Sequence, residues 1–226
     1  MEHSSEKRAE PVKRHYQYHL RLIGNAGVGK SALTRRITED SFSSDYKYDR
    51  HVVCDWVSFP TEPSIPSYTQ LILPNSIQLR TKVETETAVI TLLHCDTAGQ
   101  ERFGRLCPNF YRGVHCVCVV FDLTDTNSLE SAADWLNDVS EYAPHAVRFL
   151  VGNKCDLEKE KPDPAGAASL AKDFGARYFE VSSASRENVN QLLAATATET
   201  RSNVKGNSGP DVEGIDIGVK TRAACY

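Results

Sequence analysis

Apolar residues recur along this chain in two periods that take turns. Tyr16, Tyr18, Leu20 and Leu22 alternate with Gln17, His19 and Arg21 and run into Ile23, which predicts a strand over residues 16–23. A glycine-rich turn, 24–30, follows, and Ser31–Thr38 reads as a helix. Residues 40–76 show neither period and hold Pro60, Pro63, Pro66 and Pro74, four of the ten prolines. Ile77, Leu79, Thr81 and Val83 then alternate with Gln78, Arg80 and Lys82, a half-exposed strand. Glu84-Thr85-Glu86 turns the chain back into a more apolar strand, Thr87–His94, so the pair predicts an antiparallel hairpin. Val114–Phe121 and Val147–Gly152 are almost continuously apolar, as strands covered on both faces are in a parallel sheet. Between them Leu129, Ala132, Ala133, Leu136 and Val139 fall at helical spacing. A helix at Ala165–Phe174, a strand at Arg177–Val181 and a last helix at Val189–Ala197 complete the series. Such alternation predicts an α/β fold: a mostly parallel, doubly wound six-stranded sheet with helices on both faces.

The polar stretches set the boundaries. Residues 1–15 are expected to be a disordered extension, 16–198 one domain, and 199–226, rich in Gly, Asn, Ser and Asp, a disordered tail. A chain of 226 residues has room for one well-packed core. Its net charge of −4 offers no domain-wide basic footprint, so no nucleic-acid partner is expected. No apolar run is long enough to span a membrane, and residues 1–14 lack the apolar stretch of a secretory signal. The seven cysteines, at 54, 95, 107, 116, 118, 155 and 225, form no Cys-x-x-Cys pair. Cys116 and Cys118 lie in an apolar strand and read as buried thiols, which points to a reducing, cytoplasmic setting.

Four segments carry chemistry. Gly24-Asn-Ala-Gly-Val-Gly-Lys-Ser31 fits G-x-x-x-x-G-K-[ST] and stands between a predicted strand and a predicted helix, as a phosphate loop must. Backbone N–H groups and the helix N-terminus there point at anionic oxygens. Lys30 supplies a point charge for β and γ phosphates, and the Ser31 hydroxyl is a ligand for Mg²⁺. Asp96-Thr-Ala-Gly-Gln100 ends the third strand: Asp96 suits the metal, the Gly99 N–H suits a γ-phosphate, and Gln100 suits orienting a water. Asn153-Lys154-Cys155-Asp156 follows the fifth strand. A carboxylate there matches the N1–H and exocyclic amine of guanine, whereas adenine would leave it buried and unpaired. Ser182-Ser183-Ala184, after the last strand, offers a backbone N–H to the guanine carbonyl.

In this order the four segments resemble the small GTPases. Arg102-Phe-Gly-Arg-Leu106, Phe110-Tyr-Arg-Gly-Val114, Val120-Phe-Asp-Leu-Thr124, Trp135-Leu136 and Glu187-Asn-Val189 narrow the resemblance to the Rab group, over about residues 16–198. The resemblance implies a P-loop GTPase fold, bound GTP or GDP, Mg²⁺, and slow hydrolysis with Gln100 as the catalytic residue. It implies nucleotide contacts from Gly24, Asn25, Ala26, Gly27, Val28, Gly29, Lys30, Ser31 and Ala32, and from Phe42, Asp96, Gly99, Asn153, Lys154, Asp156, Ser182, Ser183 and Ala184. It further implies a monomeric switch in vesicle traffic that answers to an exchange factor, a GTPase-activating protein and effectors.

One segment departs from the family. Ser31 and Asp96 are 65 residues apart, about 25 more than the family uses, and loops that long are uncommon and usually functional or disordered. Asp49 occupies the place of the family's Mg²⁺-binding threonine; Thr61 is the best displaced candidate and Thr69 another. An insertion over about 50–76 is therefore expected in the region called switch I. Its apolar residues, among them Trp56, Val57 and Phe59, leave a second reading open: a nucleotide-held binding module with negligible hydrolysis. A P-loop ATPase or kinase is a third, disfavoured by the Asn153–Asp156 segment. Cys225 stands one residue from the C-terminus, next to neither a second cysteine nor a polybasic patch, and is the candidate lipidation site for peripheral attachment to endomembranes. His94 reads as a strand residue without catalytic work.

Overall fold

A computed structural model describes residues 14–40, 42, 78–85, 88–95, 106–157 and 164–206. The strands are β1 (Arg14–Ile23), β2 (Gln78–Glu84), β3 (Ala88–Cys95), β4 (Cys116–Asp122), β5 (Val147–Asn153) and β6 (Arg177–Glu180). The helices are α1 (Lys30–Glu39), α2 (Thr126–Tyr142), α3 (Pro164–Asp173) and α4 (Val189–Gly206), with a short 3-10 turn at Pro108–Tyr111. The six strands form one sheet in the order β2-β3-β1-β4-β5-β6. β2 and β3 are antiparallel, paired from Gln78↔Cys95 to Glu84↔Val89, and the other four pairings are parallel. The hairpin and the parallel core are those the alternation predicts.

β1 and β4 sit in the middle, so their side chains are covered from both sides. One face packs Leu20, Leu22, Cys118 and Val120 against Leu33 of α1 and Val189 and Leu192 of α4. The other packs Val117, Val119 and Phe121 against Ala132, Leu136 and Val139 of α2 and Ala167 and Ala171 of α3. Every residue of β4 is buried, which explains its unbroken apolar sequence. Cys116 and Cys118 are free, buried thiols, and burial pushes Cys116 well above the ordinary thiol range.

Two ends differ from expectation. β1 begins at Arg14 rather than Tyr16, pairing Arg14 with Ala88. α4 continues to Gly206, eight residues past the expected end of the domain at 198, so the stretch 199–206 is helix and not disordered tail. The reason is tertiary. Thr200 is fully buried, Arg201 lies over the Tyr16 ring at 4.9 Å, and Asn203 Nδ2 donates to the His145 carbonyl at 2.9 Å. Polar residues that look like tail composition are here the docking face of a helix. Residues 1–13 and 207–226, with Cys225, lie outside the described residues.

Histidines mark two costs in this core. His94, between Leu20 and Leu79 in the sheet, is completely buried, and among the described residues neither ring nitrogen has a hydrogen-bond partner. An unpaired buried polar group is destabilising. His94→Leu is therefore expected to raise stability at pH 7 by about 1 kcal/mol, read by urea denaturation; equal or lower stability would refute this. His19 stacks on His115, centroids 5.7 Å apart, and its backbone N–H donates to His115 Nδ1 at 3.1 Å. Burial, then the neighbouring His115 and Arg21, lower His19 to about 4, and burial lowers His115 as well. The unfolded chain takes up protons near pH 6.5 that the folded chain refuses until about pH 4. Stability is then full above about pH 6.5 and falls as pH drops towards 4. Denaturation curves across this range should flatten in His19→Gln by up to about 1.4 kcal/mol per pH unit.

Candidate nucleotide site

The carboxyl ends of the central strands converge on one turn. β1 ends at Ile23, and residues 24–29 carry the chain into α1. Gly24, Gly27 and Gly29 have φ of 138°, 83° and 96°, in the range that L side chains rarely adopt. Gly24 has a second constraint, because a Cβ there would lie 2.1 Å from the Val120 carbonyl oxygen. At Gly29 it would lie 2.3 Å from Asn153 Nδ2. Gly29 caps α1 without a side-chain hydrogen bond. Such a helix start favours an anion.

The turn is braced rather than loose. Buried Lys30 donates from Nζ to the carbonyls of Gly24 at 2.9 Å and Asn25 at 2.8 Å. Asn153, at the end of β5, donates from Nδ2 to the Val28 carbonyl at 2.9 Å. Lys154 has a left-handed backbone, φ 67°, and its Nζ donates to the Gly27 carbonyl at 3.0 Å and to Asp122 Oδ2 at 2.6 Å. Asp122 also accepts from the N–H and hydroxyl of Thr124. Burial would raise the Asp122 carboxyl, but the bonds from Lys154 and Thr124 outweigh it and hold it below its usual range.

Asn153 joins this turn to the segment after β6. Its Oδ1 accepts from the Ser183 N–H at 3.1 Å and the Ser183 hydroxyl at 3.0 Å, and the side chain is 1% exposed. Asp156 accepts a hydrogen bond from the Ser182 hydroxyl, and Ser182 Oγ in turn accepts from the N–H groups of Ala184 and Ser185. Arg36, from α1, donates from Nε to the Ser183 carbonyl at 2.8 Å and from an Nη to the Ala184 carbonyl at 2.9 Å. The phosphate loop, Asn153–Asp156 and Ser182–Ala184 thus form one cradle of backbone amides and a carboxylate.

Sequence patterns did not single out Arg36, Asp122 as the partner of Lys154, or Trp135 as a neighbour of Asn25. Arg36 and Ser183 are 147 positions apart, and no local pattern couples residues so distant. Ser31 and Ala32 are half-buried on the first turn of α1, and Phe42 stands exposed three residues beyond that helix's last residue, Glu39. Asp96, Gly99, Gln100, Thr61 and Thr69 lie outside the described residues, as does the expected insertion.

Residues 68–202 match the model of the Ras family. The chain belongs to that family. It is 35% identical to the Ras-related protein Rab-13 of Canis lupus familiaris over 184 residues, 80% of this chain and 79% of that protein. It is 34% identical to the Ras-related protein RABD2c of Arabidopsis thaliana over 201 residues, 86% of this chain and 88% of that protein. To the GTP-binding protein YPTM1 of Zea mays it is 32% identical over 194 residues, 85% and 82% of the two chains. This is a Rab-type small GTPase. The family match begins at residue 68, beyond the glycine-rich turn at 24–31.

Alanine at two glycines separates strain from collision in this loop. Among the described residues nothing lies within 4 Å of a Cβ at Gly27, so Gly27→Ala is expected to cost about 1 kcal/mol from backbone conformation alone. Gly24→Ala also drives a methyl group into the Val120 carbonyl and should cost roughly twice that or more. Equal losses in parallel denaturation curves would contradict the collision.

Proposed function

We propose that this GTPase is a nucleotide-dependent switch with slow intrinsic hydrolysis, working in intracellular vesicle traffic. The reading is carried by one observation: Asn153 binds both the Val28 carbonyl and Ser183, so the phosphate end and the base end of the cradle are one hydrogen-bonded unit. Gly24, Asn25, Ala26, Gly27, Val28 and Gly29, with Lys30, Ser31 and Ala32, surround the phosphates. Asp156, oriented by the Ser182 hydroxyl, accepts the N1–H and amine of guanine. Asn153 and Lys154 fix the geometry of that contact, Ala184 offers its N–H to the guanine carbonyl, and Phe42 flanks the base.

The donor set suits Mg²⁺, which takes hard oxygen ligands. Ser31 places a hydroxyl on the first turn of α1 beside Lys30, and Asp96 directly follows Cys95, the last residue of β3. Ser31 and Asp96 would hold the ion, with Thr61 as the third protein ligand. When bound, Mg²⁺ neutralises charge on the β and γ phosphates. Lys30 adds positive charge at the same oxygens. The Gly99 N–H meets the γ-phosphate, and Gln100 orients the attacking water. With no arginine finger identified in the chain itself, turnover is expected on the order of 10⁻⁴ to 10⁻³ s⁻¹, the scale of unassisted Ras. A GTPase-activating protein would then complete the site, an exchange factor would empty it, and effectors would read its GTP form. Among the described residues no helix is long and apolar enough to cross a membrane, and we assign any endomembrane attachment to lipid on Cys225 of an otherwise cytoplasmic monomer.

Single-turnover hydrolysis on GTP-loaded protein, with Mg²⁺ titrated, tests this reading. Phosphate release should require Mg²⁺, and Gln100→Leu should slow it by about a hundredfold while GTP affinity stays within twofold. Equal turnover in the variant would remove Gln100 from catalysis. Tight GTP retention with no release by the unaltered protein would instead mark a nucleotide-held binding module.

A further inference from the structure

The glycine turn is also braced from a helix on the far side of the sheet. Trp135, in the middle of α2, donates its indole N–H to Asn25 Oδ1 at 2.8 Å, across 110 positions of sequence. The same residue, Asn25, gives its carbonyl to Lys30 Nζ. Asn25 therefore joins the lysine that faces the phosphates to a helix that packs on the opposite face of the sheet from α1.

The two partners are unequal in freedom. The Trp135 ring is 8% exposed and packs among Ile23, Leu136 and Val139 in the core, so its N–H has a fixed position and direction. Asn25 sits between Gly24 and Gly27, both in the left-handed range of φ, where the backbone has the most ways to move. Lys154 holds the loop at Gly27 and Asn153 holds it at Val28, both towards the α1 end. Near the β1 end, Trp135 braces the loop at Asn25 from outside the loop and α1.

We infer that Trp135 is a positioning residue: by holding Asn25, its indole N–H keeps the phosphate loop in the shape that cradles nucleotide and so slows nucleotide release. The inference rests on the guanine-nucleotide reading of the cradle. Trp135 touches no substrate and acts only through Asn25. The indole nitrogen has no acceptor capacity, so the direction of the bond is fixed, and phenylalanine keeps the buried ring while removing the donor.

GDP release from the full chain, followed with a fluorescent GDP analogue displaced by excess GDP, measures the effect. Trp135→Phe should release nucleotide about fivefold faster, the equivalent of one ordinary hydrogen bond. Asn25→Ala should do the same, and the double variant should be no faster than the faster single one, because both remove a single interaction. Thermal unfolding of each GDP-loaded protein confirms that it is folded. Release from Trp135→Phe at the unaltered rate overturns the inference, and so do effects that multiply in the double variant, since packing rather than the hydrogen bond would then be responsible. If the unaltered protein retains no guanine nucleotide, the reading of the cradle fails and this inference falls with it.

Discussion

A glycine turn can face an anion only if its own carbonyl oxygens are turned away and held. That constraint organises the upper end of this molecule. The amides that would receive phosphate belong to the same peptide groups as the carbonyls of Gly24, Asn25, Gly27 and Val28. Each of those carbonyls accepts a hydrogen bond from a side chain, two from Lys30 and one each from Lys154 and Asn153. Fixing the carbonyls fixes the amides, so the donors are oriented before a ligand arrives. Preorganisation of this kind saves the ordering that binding would otherwise require.

The braces also explain why the parallel sheet suits the task. β1, β4 and β5 run in the same direction, so their carboxyl ends lie at one edge. Gly24 follows β1, Asp122 ends β4, and Asn153 ends β5 with Lys154 next in the chain. The Asp122–Lys154 pair crosses two of these ends, and the lowered Asp122 carboxyl records how well the charge is matched. Ligands bind at such a crevice in open α/β sheets because side chains from successive strand ends converge there. The antiparallel β2 sits at the sheet's far edge, away from this convergence.

Local preferences gave way to tertiary contacts in several places. Lys154, Arg186 and Asn188 hold positive φ without being glycine, and Asp40 does the same at the end of α1. These conformations cluster around the base end of the cradle, where Arg186 pairs with Asp40 and Asn188 bonds the Glu180 carbonyl. Backbone conformations of this kind persist where surrounding bonds over-determine them. His94 is a different case. It occupies a sheet position where an aliphatic side chain would pack without leaving a polar group unpaired, and among the described residues its ring nitrogens have no hydrogen-bond partner.

The sequence alone determined the strand and helix order, the hairpin, the doubly covered central strands and the place of the phosphate loop. Each rests on spacing within about ten residues, where period and glycine chemistry report directly on backbone geometry. It also placed Asn153–Asp156 and Ser182–Ala184 at strand ends, and hence the guanine specificity to be tested. Tertiary structure alone decided that Asn153 joins both ends of the cradle, that Arg36 grips the Ser183 and Ala184 carbonyls, and that Trp135 holds Asn25. It also decided that the polar residues 199–206 are helix, since Thr200 is buried against the domain and Arg201 and Asn203 make their contacts with elements elsewhere in the chain. These interactions join positions tens to more than a hundred residues apart, and a hydrogen bond across such a distance leaves no periodic trace in the residues on either side of it.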